Sequence, residues 1–450
     1  MLIESVILAA GLGTRMKSEL PKVLHPLLGQ PLLWWAVRAA RKAAHRAPHV
    51  IVGPEFQAEV STPDEELHFV IQHDRLGTGH ALMQAEGKLS DAADLVLVTS
   101  ADMPLLQAET LAMLIETQTQ NAGPLTVLTT VAEDSRGFGR ILRNDEGRIC
   151  GIIEQAHATP EQLAIRELNV GAYCFDAAWL WDALPRLVLS PKGEYYLTDL
   201  VEMAASAGLA VESIACCDPD EIIGVNTRVH LAEAARAMQK RINHQWMLAG
   251  VTIIDPTNTW IEPTVKLKAD TVLLPNTFLE GRTAVGAGCR IGPNSVLRDS
   301  LLADACEVSF SVVEGAELES NVDVGPFAHL RSGSHLCEGV HMGNFGEVKN
   351  STLGAGVKMG HFSYIGDTTI GEGSNIGAGA ITCNYDGERK HTTLIGRGVF
   401  IGSDTMLVAP IEIGDGARTG AGAVVTRNVA PHTLAVGAPA RAIRKLEPRE

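Results

Sequence analysis

The sequence predicts a mixed α/β fold: a domain with a mainly parallel sheet, one long connecting helix, and a triangular parallel β-helix. Three observations carry this. Short runs rich in Val, Leu and Ile alternate with helical runs up to about residue 226. A single apolar stripe then marks residues 228–250, and beyond it an aliphatic residue recurs every six positions. The implied boundaries are 1–227, 228–250 and 251–450.

In the first part, "ESVILAA", "PHVIVG", "LHFVIQ", "DLVLVTSAD" and "PLTVLTTVA" read as buried strands. Between them, "PLLWWAVRAARKAA" and "AETLAMLIETQTQ" carry apolar residues at helical spacing. Such alternation builds a parallel sheet flanked by helices. Ligands of such sheets sit beyond the carboxyl ends of the strands. The segment "LAAGLGTRMKSELPK", Leu8 to Lys22, and the segment "SADMP" both lie there. The first is glycine-rich with a nearby arginine and lysine, which suits an anionic ligand, yet it matches neither common phosphate-loop pattern.

Leu231, Ala235, Met238, Ile242 and Trp246 mark one face of the connecting helix, and Gly250 is placed to end it. The repeat then runs through Ile261, Leu267, Leu273, Leu279, Val285, Ile291 and Leu297. It resumes from Leu318 to Val348, from Leu353 to Ile365, and from Ile395 to Val425. A helix cannot hold a strict period of six. A three-sided coil can, with the aliphatic residue inward and small residues at the corners. The polar segment "TCNYDGERKHTTL", Thr382 to Leu394, lacks the repeat and should leave the coil as a loop.

The formal net charge of −16 argues against nonspecific nucleic-acid binding, so positive charge toward any anionic substrate must be local. No apolar run is long enough to span a bilayer. The first ten residues show neither a basic leader nor a cleavage site, and the eight cysteines have no CxxC spacing. A reducing, cytoplasmic setting is therefore expected, without membrane insertion.

The motifs together resemble a family. "LAAGLGTRMKSELPKVLHPLLGQPLL" is similar to the signature of sugar-nucleotide pyrophosphorylases. "QHDRLGTGHAL", "TSADMPLL", "GFGRIL", "IIEQAHATPEQLAIRELNVGAY", "YYLTDLV" and "GVNTR" follow in order. With the hexapeptide half, the chain resembles the bacterial bifunctional N-acetylglucosamine-1-phosphate uridyltransferase/glucosamine-1-phosphate acetyltransferases over nearly its whole length. That resemblance implies a Rossmann-like nucleotidyltransferase domain and a left-handed β-helix. It also implies UTP, N-acetylglucosamine-1-phosphate, glucosamine-1-phosphate and acetyl-CoA as small-molecule substrates, Mg²⁺ as cofactor, and a homotrimer.

Carried over residue by residue, the resemblance places backbone from Leu8, Ala9, Ala10 and Gly11 near UTP, with Arg15 and Lys22 neutralising phosphate. Gln72, Gly77 and Thr78 map to uracil-reading positions, and Ser100 lies on the same side. Asp102 and Asn226 map to the Mg²⁺ ligands, an oxygen pair suited to a hard cation. Gly139, Glu154 and Asn169 map to the sugar side. This transfer needs no general base, because the attacking phosphate is already an anion; it needs placement and charge neutralisation.

Acetyl transfer does need one, since an attacking ammonium must first lose a proton. "FGEVKNSTLGAGVKMGHFSYIGD" supplies His361, matching the family's base, with Glu347 expected to orient its ring. Arg331 and Lys349 resemble a phosphate-binding pair, with Tyr364 beside them. Asn375, Asn384 and Tyr385 match sugar-contacting positions, the last two bordering the acetyl-CoA side with Ser403 and Ala421. Gly437 stands where many relatives carry a basic residue near the coenzyme; Arg441, Arg444 and Lys445 are candidate substitutes. Two other readings stay open: a single-function sugar-1-phosphate nucleotidyltransferase with repeats serving assembly, and a non-enzymatic assembly subunit of the same folds.

Overall fold

The computed structural model describes residues 1–54, 56, 66–90 and 93–447. The chain divides into two compact units, 1–238 and 239–450. The division therefore falls inside the connecting helix, which runs Arg228–Leu248. Gly250, at a φ of 93°, follows it, a left-handed conformation that glycine adopts without strain.

In the first unit all five expected strands form. The sheet order is Val211–Ala215, Leu125–Val131, Glu167–Asp176, Leu95–Ser100, Ile3–Leu8, His49–Val52, His68–Ile71. The four strands from Leu95 to Ile71 in this order are mutually parallel. Glu167–Asp176 runs antiparallel to both of its neighbours. That strand, and the hairpin Arg140–Arg143 with Ile149–Ile153, were absent from the periodicity reading. Helix Leu32–Ala44 buries Leu33, Val37 and Ala40 against Ile7, Val50 and Val52, with Ala36 in the same cluster. Strands Ile3–Leu8 and Leu95–Ser100 end side by side in register, Leu8 opposite Ser100.

The second unit is a prism of three sheets with 12, 10 and 9 strands, parallel except for the final strand of the first. Each coil pairs with the next, as in Leu330 with Val348 and Leu318 with Leu336. The six-residue aliphatics lie at its centre: Ile261, Leu330, Leu353, Met359 and Ile401 are fully buried. Leu267, near the start of the stack, is only half-buried. Where the repeat was lost between Leu297 and Leu318, Leu302, Val308 and Val313 point inward. From Leu297 to Leu318 the spacings are five, six, five and five residues, so a strict period of six misses them. Buried corner hydroxyls satisfy backbone carbonyls within and between coils; Thr283 Oγ1 lies 2.7 Å from the Glu280 carbonyl of its own coil and 3.3 Å from that of Leu297.

The polar excursion is shorter than expected. Ile381–Cys383 and Thr393–Ile395 are strands, leaving Asn384 to Thr392 outside the coil. The last strands, Thr433–Gly437 and Ala440–Lys445, form an antiparallel hairpin in which Gly437 opposes Ala440.

The connecting helix corrects one detail. Ala234, Met238 and Ile242 are buried as its apolar face, but so are Gln239 and Asn243. Both amides donate to the carbonyl of Thr259, at 2.7 and 2.9 Å, in the entry to the prism.

Candidate active sites

In the first unit, the strand ending at Leu8 runs into the glycine loop. Gly13 holds a φ of 62°, and a Cβ there would come 2.5 Å from that of Lys22. Glycine at this point lets the loop fold back onto Lys22. Gly11, by contrast, faces open space. The Lys22 ammonium lies 2.6 Å from Asp102 Oδ2 and 3.1 Å from Asn226 Oδ1. The Arg15 guanidinium reaches the same Asn226 oxygen at 3.0 Å. Four residues spread over more than 200 positions thus meet at one point.

Burial raises the Asp102 carboxyl, but the Lys22 charge and the hydrogen bonds from Lys22 and Ser100 outweigh it and hold it below the usual range. Two oxygens from different segments converge on a single cationic group. That donor set also suits Mg²⁺, a hard ion bound by few protein oxygens plus phosphate and water.

A cleft of about 420 Å³ opens beside this cluster. Its walls include Leu8, Ala9, Ala10, Gly11, Lys22, Gln72, Gly77, Thr78, Ser100 and Asp102, all expected from the motifs. Arg75, Leu12, Glu194 and Tyr196 line it too and were not singled out. Arg75 Nε donates to the Ala10 carbonyl at 2.7 Å, tying the second motif to the first. Its presence within "QHDRLGTGHAL" was the available signal.

Two backbone segments shape the far wall. Gly77 has a φ of 96°, and a Cβ there would lie 2.6 Å from the Tyr195 carbonyl oxygen. The Gly79 amide donates to that carbonyl and the Leu197 amide to Thr78 Oγ1. "RLGTG" therefore docks on "YYLTD". Gln72 is buried, its Nε2 donating to the Gly77 carbonyl at 3.2 Å.

Gly139, Glu154 and Asn169 gather separately from the walls of this cleft. Asn169 N–H donates to the Gly139 carbonyl, and its side chain donates to Tyr173 Oη at 2.7 Å. Thr198 donates to Glu154 at 3.3 Å. Burial, then the nearby Asp199 and Glu194 carboxylates, push the Glu154 carboxyl up despite that hydrogen bond.

In the second unit, register explains the grouping. Glu347 pairs with Tyr364 and Lys349 with Gly366 on consecutive coils, with Val348 and Ile365 inward between them. Arg331, Glu347, Lys349 and Tyr364 consequently share one outward face. Arg331 binds Glu347 Oε1 at 2.9 Å. This differs from the expectation for Glu347: its carboxylate is held by Arg331, and no hydrogen bond joins it to His361 among the described residues. Strand alternation is the reason, because Glu347 points out on the flat face whereas His361 follows the corner glycine Gly360.

The excursion adds what the sequence reading missed. A side-chain hydrogen bond with Lys390, then the charge of Lys390, burial and Arg331, lower the Lys349 ammonium from its usual value. Arg331, Lys349 and Lys390 thus form a concentrated positive site. The excursion is pinned by Asn384, whose amide donates to Asp367 at 2.6 Å. Tyr385 is exposed, and pairs with Lys390 across the loop. Gly366 makes room for this arrangement: a Cβ there would meet the Tyr364 hydroxyl and come 2.7 Å from the Asn384 amide.

His361, Ser403 and Ala421 are exposed and follow Gly360, Gly402 and Gly420 at equivalent corners. Asn375 lies on a different sheet from Glu347, pairing with Lys358 and Phe400. Gly437 turns the terminal hairpin at a φ of 96°. Arg441, Arg444 and Lys445 lie on its outer strand, where they border a second cleft of about 490 Å³.

A parallel sheet with a glycine loop and a Lys–Asp–Asn cluster, followed by a stacked hexapeptide coil, defines a nucleotidyltransferase joined to a hexapeptide-repeat acyltransferase. The MobA-like NTP transferase domain family matches residues 5–180, and the bacterial transferase hexapeptide (six repeats) family matches residues 392–427. The chain is 44% identical to the "Bifunctional protein GlmU" of Heliobacterium modesticaldum over 96% of this chain and 94% of that one. It is 43% identical to that of Brevibacillus brevis over 99% and 96%. The chain belongs to the bifunctional GlmU family, an enzyme family in which the β-helix coils left-handed.

Proposed function

We propose that the two sites act in succession to make UDP-N-acetylglucosamine. The β-helix site transfers acetyl from acetyl-CoA to the amine of glucosamine-1-phosphate. The first unit then joins the product to UTP, releasing pyrophosphate. The observation carrying this reading is the convergence of Arg15, Lys22, Asp102 and Asn226 beside the glycine loop, in a chain that also clusters Arg331, Lys349 and Lys390 around Tyr364.

At the β-helix site, the three cations hold the sugar phosphate, and Arg331 can do so bidentately. His361 takes a proton from the substrate ammonium, and the freed nitrogen attacks the thioester carbonyl. The bond to sulfur breaks, and a proton passes to the departing thiolate. At the first site, a phosphate oxygen of N-acetylglucosamine-1-phosphate attacks the α-phosphorus of UTP. Lys22 exchanges Asp102 for phosphate oxygen as substrate enters, while Arg15 stabilises charge at the loop. Asp102 and Asn226 would hold Mg²⁺, which when bound neutralises phosphate charge. Gln72 presents a fixed amide to the base.

The assembly we assign is a trimer in the cytoplasm. Among the described residues no helix is long and apolar enough to cross a membrane. Phe310, Phe327 and Phe345 stack along successive coils at 5.6 and 5.2 Å while 38%, 54% and 60% exposed. Such a solvent-facing aromatic ladder is the kind of surface that a second subunit covers. The test is direct assay of both transfers with purified substrates, alongside light scattering. Absence of acetyl transfer by the intact chain would overturn the two-step reading in favour of a single-function nucleotidyltransferase.

A further inference from the structure

We propose that Glu319, His335 and Cys337 bind a divalent cation of the zinc class on an outward face of the β-helix, apart from both sites above. The fold creates this juxtaposition. On strand His335–Leu336, Leu336 is fully buried, so the residues on either side of it, His335 and Cys337, project outward together. The preceding coil runs parallel, with Glu317 opposite His335 and Leu318 opposite Leu336. Glu319 therefore falls opposite Cys337.

The side chains meet as that register requires. Glu319 Oε1 lies 3.0 Å from His335 Nε2. The other Glu319 oxygen accepts the Glu338 backbone N–H at 2.9 Å, which fixes the carboxylate's orientation. One nitrogen, one sulfur and one oxygen ligand atom all lie within 4.8 Å of one another, the one such group among the described residues.

Zinc bonds of about 2.0–2.3 Å in tetrahedral geometry leave ligand atoms roughly 3.3–3.8 Å apart, so the Glu319–His335 pair, now 3.0 Å apart, opens slightly to admit the ion. All three residues are partly exposed, which leaves the fourth position open to water. Sulfur and imidazole ligands select zinc, cobalt or a similar ion over Mg²⁺, whose preference is for oxygen. Binding exchanges protons in a balanced way. The thiol releases its proton to solvent, and the His335 Nε2 proton that bridges to Glu319 is given up as well, so that the ring ligates through Nε2 and carries its one remaining proton on Nδ1. The dication is then neutralised by one thiolate and one carboxylate. It would tie two consecutive coils together.

Chelator-treated full-length protein titrated with Co²⁺ tests this. One Co²⁺ per chain should bind with a thiolate charge-transfer band in the near ultraviolet, and Zn²⁺ should displace it. Excess Mg²⁺ should not. Cys337→Ser should abolish the band, and His335→Ala should weaken Co²⁺ binding by roughly 100-fold or more, since losing a ligand should cost at least as much as losing its support. Cys217→Ser, altering an exposed thiol elsewhere, should leave the band unchanged. Acetyl transfer at the wild-type rate would confirm that the β-helix of Cys337→Ser is folded, since that activity belongs to the same unit. No band in the wild type, or an undiminished band in folded Cys337→Ser, would overturn the site.

Discussion

Lys22 and Asp102 show how much a single pair decides. Their side chains are 12% and 23% exposed, so removing one strands the other in a poorly solvated place. Asp102→Ala should abolish uridylyl transfer while leaving acetylation intact, measured by assaying both reactions on one preparation. The pair also carries a pH signature. Because the folded carboxyl sits below its unfolded value, the pair's stability is present above that unfolded value and is lost as pH falls through the folded one. Lys22→Met removes the opposing charge, leaving burial opposed only by the hydrogen bonds of Ser100 and of the Asp102 backbone, so the variant's deficit in thermal midpoint should shrink in acid. Glu154 is the mirror case. Its raised carboxyl pKa means that ionisation costs stability above the ordinary carboxylate range. Glu154→Gln should therefore raise the thermal midpoint at neutral pH, with the gain vanishing in acid; a gain independent of pH would place its origin elsewhere. His361→Ala should cut kcat for acetylation by roughly 10²–10⁴-fold, the usual share of general-base catalysis, with uridylyl transfer unaffected.

At the scale of elements, the excursion Asn384–Thr392 does what no flat face can. It brings Lys390 to Lys349 while Asn384 anchors it on Asp367. Lys390→Ala should raise KM for the phosphorylated acceptor more than it lowers kcat, since it removes charge facing phosphate and not the base. Gly366→Ala should damage the same site by another route: the added methyl displaces Tyr364 and Asn384, so acetylation falls although no polar group is lost. The loop's bounds were read two residues too wide at each end. Thr382 is polar yet fully inside the coil, donating to the Tyr364 and Gly366 carbonyls. A buried threonine that satisfies its hydroxyl on backbone looks like a loop residue in sequence.

For the whole molecule, each unit carries its own core, one built on a sheet with flanking helices and one on stacked aliphatics. A fragment ending at Gly250 should retain uridylyl transfer and lose acetylation. It should not stop before Leu248, because the end of the helix is one continuous element and Met238 and Ile242 are buried along it. A soluble fragment that binds UTP but forms no UDP-sugar would show that the units do not act independently.

Periodicity determined the parallel part of the sheet and the three-sided coil, but not the antiparallel strand Glu167–Asp176 or the hairpin beside it, which tertiary pairing added. The motifs likewise marked nearly every wall of the nucleotide cleft, since backbone approach demands glycine and phosphate demands cations. Three-dimensional pairing decided the rest. Glu347 turns to Arg331 because strand alternation aims it along the flat face, while His361 sits at a corner. Gln239 and Asn243 are buried because carbonyls at the prism's mouth need donors. The Glu319–His335–Cys337 cluster exists because coils stack in register, bringing together residues 16 and 18 positions apart whose spacing in sequence matches no metal motif.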